Sequence, residues 1–287
     1  MSAATVTPPV VPVAEECWST VAGYKMRYLR AGSGPPVLLI HGLSAYSFSW
    51  RQVIPALSSI RTVFAPDLLG SGFSDQPRDL DYGMTAAAQR LWQWLDSLGV
   101  GTIDLVGSSL GGGISVRMTA LAPDRVNKLV LAAPVNPWSR HGRWVTRVLA
   151  TPAGAAMFMS GLPLVRATGN FWLKRLFGDP KRIAPGTLEG YSAPLAQRSA
   201  WEYGMLLMRH WPRDMRQLAL DYASLADKRA LLIWGDRDVA VSPKSAQEIL
   251  KRMPRAQLEV MKGVGHIPYD EAPAEFNRIV RDFLCAP

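Results

Sequence analysis

Short apolar runs recur along the chain, each ending at a turn former and followed by a stretch of amphipathic period. Val37-Leu38-Leu39-Ile40, Ile103-Asp104-Leu105-Val106 and Ala230-Leu231-Leu232-Ile233-Trp234 are continuous rather than alternating. Strands with both faces buried read this way. The pattern predicts strands near 36–40, 62–66, 102–107, 128–133, 229–234 and 257–261. Helical periodicity fills the gaps near 51–58, 84–97, 109–121, 243–252 and 273–284, with Pro273 in the first turn of the last helix. Residues 17–30 alternate polar and apolar, as a hairpin ahead of the core would. Apolar strands alternating with helices predict an α/β fold with a mostly parallel sheet covered on both faces.

The rhythm breaks after Asn136. About ninety residues follow without a clear strand before Ala230. They read as several short helices broken by Pro152, Gly154, Gly161, Pro163, Gly169, Pro180 and Pro185. The expected division is a core of residues 1–136 and 216–287, with roughly the first 15 a flexible leader, and a helical unit at 137–215. A chain of 287 residues is long enough for one such domain with an insertion.

Composition sharpens this division. Net charge is +9, and residues 137–215 carry +7 of it, with eleven Lys/Arg against four Asp/Glu. The same stretch holds five of the ten Trp and five of the eleven Met. No nucleic-acid-binding motif accompanies the charge, so no nucleic-acid partner is expected. Cys17 and Cys285 make no disulfide framework. The N-terminal stretch lacks the basic patch and apolar core of a signal peptide, and no later run is long enough to span a bilayer. The expectation is a cytoplasmic protein, monomeric or homodimeric.

The chemistry concentrates at Gly107-Ser108-Ser109-Leu110-Gly111, between an apolar strand and a helical pattern. A Gly-x-Ser-x-Gly turn between strand and helix is a nucleophile elbow, with Ser109 at its apex and only small residues tolerated at its flanks. The helix that follows supplies backbone N–H groups and a positive dipole end beside the hydroxyl. Ser108, one residue from the apex, is expected to be structural. Of four histidines, His41 ends a buried strand, and His141 and His210 fall within the helical unit. His266 lies in a glycine-rich loop ahead of the last helix, where a general base could reach the serine. Asp238, three residues past Gly235 at a strand end, is the expected acid, with Asp236 the alternative.

These residues, in the order Ser109, Asp238, His266, resemble the α/β-hydrolases, and the likeness runs from about Val21 to Leu284. His41-Gly42-Leu43-Ser44-Ala45-Tyr46-Ser47-Phe48-Ser49-Trp50-Arg51 resembles the oxyanion loop of the subgroup that holds haloalkane dehalogenases, epoxide hydrolases and C–C bond hydrolases. Ala65-Pro66-Asp67-Leu68-Leu69-Gly70-Ser71-Gly72-Phe73-Ser74-Asp75 resembles the loop after that family's fourth strand. The resemblance implies oxyanion donors at the Leu43 and Leu110 N–H groups and no metal or organic cofactor. It also implies that the helical unit caps Ser109. Asp67 is expected to bond backbone in its own turn, and Arg51 to open a helix or reach the pocket rim.

One departure narrows the chemistry. The dehalogenases and epoxide hydrolases of this subgroup use an aspartate nucleophile, whereas this chain has Ser109. Ester hydrolysis of apolar acyl or aryl substrates is the leading expectation. C–C cleavage of a ring-cleavage product and a non-catalytic lipid- or ligand-binding role are the alternatives. Trp138, Trp144, Met157, Phe158 and Met159 are expected to line an adaptable apolar pocket. Arg140, Arg143 and Arg147 fall at helical spacing beside the apolar 155–165 stretch. That segment reads as an ordinary cap with solvated arginines or as a weak contact with an anionic membrane.

Overall fold

The computed structural model describes residues 7–286. Eight strands form one sheet: β1 (Glu15–Val21), β2 (Tyr24–Ala31), β3 (Pro36–Ile40), β4 (Thr62–Pro66), β5 (Ile103–Ser108), β6 (Val126–Ala132), β7 (Ala230–Gly235) and β8 (Gln257–Met261). Their spatial order is β1-β2-β4-β3-β5-β6-β7-β8. The β1–β2 and β2–β4 pairs are antiparallel and the remaining pairs are parallel. Ala22 and Gly23, both at positive φ, make the two-residue turn of the β1–β2 hairpin. The mostly parallel sheet is what the sequence pattern predicts, and the whole is the α/β-hydrolase fold that the motif resemblance implies.

Each buried strand feeds two cores, because successive side chains point to opposite faces. Leu38, Ile40, Leu105, Leu131, Leu232 and Trp234 pack on one side with Leu91, Trp94 and Ile114. Val37, Leu39, Val106, Val130 and Ile233 pack on the other with Trp50, Ile54, Phe276 and Val280. The first layer draws on α2 (Met84–Ser97) and α3 (Leu110–Leu121), the second on α1 (Ile54–Ser58) and the C-terminal helix. Of the expected leader, residues 1–6 lie outside the described residues. Val11 is buried in the second core, so part of that stretch packs against the core ahead of β1.

Between β6 and β7 the chain forms α4 (Arg143–Leu149), α5 (Pro152–Ser160), α6 (Leu162–Ala167), α7 (Gly169–Lys174), α8 (Thr187–Ser192) and α9 (Arg198–Ser224). Pro152 and Pro163 sit in first turns and open helices rather than break them. The 27-residue α9 differs from the run of short helices expected here. It holds Pro212 internally and runs through the expected boundary at 215, because its far half buries Leu218 and Tyr222 in the core. Short α10 (Ala246–Leu250) and α11 (Pro268–Glu271) and the 13-residue α12 (Pro273–Cys285) complete the helices. Among the described residues, no helix is long and apolar enough to cross a membrane.

Candidate active site

Ser109 sits between the end of β5 and the start of α3, with φ 52° and ψ −115°. That left-handed conformation is costly for a residue with a Cβ and persists only where its surroundings hold it. They do: Ser109 N–H donates to Ala132 O at 3.0 Å, and Ser109 O accepts from Val135 N–H at 3.0 Å. Packing demands the flanking glycines. A Cβ on Gly107 would meet Gly111 O and Ser115 Oγ, and a Cβ on Gly111 would meet the Ile40 and His41 carbonyls. Ser108 points elsewhere, donating to Tyr269 Oη at 3.3 Å.

His266 is brought to Asp238. Its Nδ1 lies 2.7 Å from Asp238 Oδ2, and the pair is buried at 6% and 4% exposure. Asp238 Oδ1 accepts the Ala240 and Val241 N–H groups at 2.7 and 2.9 Å, which fixes the carboxylate's orientation. Trp234 Nε1–H donates to Val241 O and ties this loop to β7. Asp236 has a different task, accepting Gly263 N–H at 2.7 Å ahead of the histidine. His266 N–H donates to Leu176 O at 2.7 Å, so the histidine loop is stitched to the segment after α7. Ser109 Oγ makes no hydrogen bond to His266 in this structure.

Ser109, Leu43 and Leu110 line one cavity of about 610 Å³. Leu110 opens α3, so its N–H has no intrahelical acceptor. Among the described residues the Leu43 N–H has no acceptor either. Gly42 lets the two segments approach: its Cβ, if present, would lie 3.3 Å from Ser109 Cβ.

A family model for the alpha/beta hydrolase fold matches residues 35–273. The chain belongs to the α/β-hydrolase family. This α/β hydrolase is 33% identical over 279 residues to an uncharacterized protein of Mycobacterium tuberculosis, covering 92% of this chain and 80% of the relative. It is 30% identical over 268 residues to haloalkane dehalogenase 2 of the same species, covering 90% and 91%. It is also 30% identical over 271 residues to a 2-hydroxymuconate semialdehyde hydrolase of a Pseudomonas strain, covering 92% and 91%.

The hydrolase builds its cavity from residues that differ from those expected. Trp138, Trp144, Met157, Phe158 and Met159 do not line it. Trp144 and Met157 are 73% and 68% exposed. Trp138 packs between Tyr222 and the Arg252 guanidinium, and Phe158 and Met159 lean on the core. The apolar wall comes instead from Met208, Trp211 and Met215 of α9, with Val135 and Val241. Arg143, Arg147, Arg216 and His141 also line the cavity, and no Asp or Glu does. The sequence pattern predicts short broken helices here, so neither the long α9 nor the face it turns to Ser109 was read from it.

His41 and Asp67 brace the 42–51 segment through Gly42 and Ser47. His41 is fully buried; its Nε2 accepts Leu68 N–H at 3.0 Å, so Nδ1 carries the proton and donates to Gly42 O at 2.8 Å. Burial holds its pKa below the usual imidazole range, against the opposing Gly42 carbonyl and the Asp67 charge. Asp67 bonds the Phe73 N–H of its own turn, as expected, and also the Ser47 N–H and the Arg27 guanidinium. Arg51 pairs with Asp270 at 2.5 Å, donates to Thr187 Oγ1 at 2.8 Å and stacks on Phe48. It is a largely buried tie and is absent from the cavity wall.

Proposed function

We propose that this hydrolase cleaves carboxylic esters through an acyl-enzyme on Ser109. The observation that carries the reading is the strained Ser109 apex sharing a cavity with Leu43 and Leu110, on a chain whose buried His266 is paired with Asp238. His266 Nε2 accepts the Ser109 proton as Oγ attacks the carbonyl carbon. Asp238 accepts from Nδ1–H and stabilises the imidazolium. The Leu43 and Leu110 N–H groups receive the oxyanion, a contribution of about 3 kcal/mol per donor. His266 then protonates the leaving alcohol and activates the water that releases the acid. The missing Ser109–His266 hydrogen bond fits a contact that tightens when substrate arrives. Under this reading residues 137–215 act as a cap, and α9 supplies its apolar wall.

Serine argues against dehalogenation in spite of the 30% identity to a dehalogenase. Attack by Oγ on an alkyl carbon would leave an ether, with no carbonyl for water to attack. A carbonyl substrate avoids that dead end.

Arg143, Arg147 and Arg216 support a second reading, C–C bond cleavage of an anionic ketone, since they line the cavity without acidic partners. The discriminating experiment compares a p-nitrophenyl ester series, acetyl to palmitoyl, with an anionic dienone ring-cleavage analogue. The expected result is ester turnover with an optimum set by the cavity, abolished in Ser109→Ala. Dienone turnover exceeding that of every ester assigns the C–C reaction instead. Ester hydrolysis within a few fold of parent in Ser109→Ala overturns both.

A further inference from the structure

The stretch from Pro137 to Gly178 carries six Lys/Arg and no Asp or Glu. Arg140, Arg143, Arg147, Arg166, Lys174 and Arg175 are all exposed, and none forms an ion pair among the described residues. The same stretch exposes Trp144, Val145, Val148, Met157, Leu164, Phe171 and Trp172, seven of the fifteen large exposed hydrophobic side chains in the described chain. Isolated exposed hydrophobics are ordinary on a protein surface. Their concentration on four consecutive short helices, interleaved with unpaired cations, is not. On α4 alone, Trp144, Val145 and Val148 alternate with Arg143 and Arg147.

We propose that α4–α7 dock this protein on an anionic lipid bilayer. The charge selects the occupant. A second copy of the same surface would set six unpaired cations against six more. A nucleic acid would satisfy the cations and leave Met157 and Leu164 against water. A bilayer interface answers both components: anionic headgroups meet the arginines and lysines, while indole and aliphatic groups enter the headgroup–acyl boundary. Docking also gives the surface a use. Residues 141–143, Thr146 and Arg147 line the cavity that holds Ser109, so the bilayer would face one rim of that cavity. An amphiphile could then enter from the lipid side. Binding itself does not depend on the chemistry at Ser109.

The test is co-sedimentation of Ser109→Ala protein with phosphatidylcholine vesicles, with and without phosphatidylglycerol, at low and high salt. The expected result is association with the anionic vesicles that salt weakens, and at least about tenfold weaker association with phosphatidylcholine alone. Two triple variants should each lower anionic-vesicle binding about tenfold with unchanged far-UV circular dichroism: Arg140→Glu/Lys174→Glu/Arg175→Glu and Trp144→Ala/Phe171→Ala/Trp172→Ala. No binding, equal binding to both vesicle types, or binding indifferent to both variants overturns the proposal. So does a concentration-dependent dimer that the tryptophan variant dissolves while vesicles bind neither form.

Discussion

His41 shows how one buried side chain can set a pH limit on the fold. Its imidazole is neutral in the folded state, with Nε2 accepting from Leu68 and Nδ1 donating to Gly42. Burial lowers its pKa, so the unfolded chain takes up a proton first as pH falls. Stability from this group is therefore complete above the unfolded value of about 6.5 and is lost as pH drops through and below it. Urea unfolding from pH 7 to 5 should show the parent losing more stability than His41→Asn. Parallel curves would contradict that. At this scale the sequence was most informative where chemistry restricts residue choice. Ser109, His266, Asp238 and the backbone-bonding role of Asp67 were all proposed from residue type and position. Glu271 was missed. It accepts the Gly178, Asp179 and Gly265 N–H groups at 2.7–2.8 Å, and two of these lie more than ninety residues away in sequence.

At the scale of elements, the histidine loop is held by close backbone packing. A Cβ on Gly265 would meet Leu176 O, Gly178 N and Phe177 C, all main-chain atoms that cannot swing aside. Gly235 is pressed against the Val264 and Gly265 carbonyls in the same manner. Gly265→Ala should therefore lower stability by about 2 kcal/mol or more and reduce turnover, because the loop it displaces carries His266. Thermal unfolding and kcat measured together check this, and a variant with parent Tm and parent kcat contradicts it. Strands were legible to within two residues because buried parallel strands are continuous apolar runs. The β6–β7 region was legible only as helical. Its short helices bury little, so their periodicity does not say which residues turn towards Ser109. Trp144 and Met157 face solvent, and the wall comes from α9.

Across the whole molecule, Arg51 joins three distant parts. It ends the 42–51 segment, pairs with Asp270 beyond the histidine loop, and bonds Thr187 at the start of α8. Burial pushes the Asp270 carboxyl above its usual range, while the Arg51 charge opposes the shift. Removing only the cation leaves a buried acid without compensation. Arg51→Met should cost about 3–5 kcal/mol, and Arg51→Met/Asp270→Asn markedly less than that single change. Denaturant unfolding of both variants checks this, and equal losses would contradict it. The sequence placed Arg51 at a helix start or pocket rim, since a partner 219 residues away leaves no local signal.

The proposed reaction rests on the covalent step at Ser109. The measurement that tests it most directly is mass spectrometry of the intact protein quenched during turnover of a p-nitrophenyl ester, followed by peptide mapping. An acyl-enzyme on Ser109 predicts one acyl group per chain, mapped to Ser109 and absent in Ser109→Ala. An acyl group on another residue, or steady ester turnover in Ser109→Ala with no adduct formed, would contradict it.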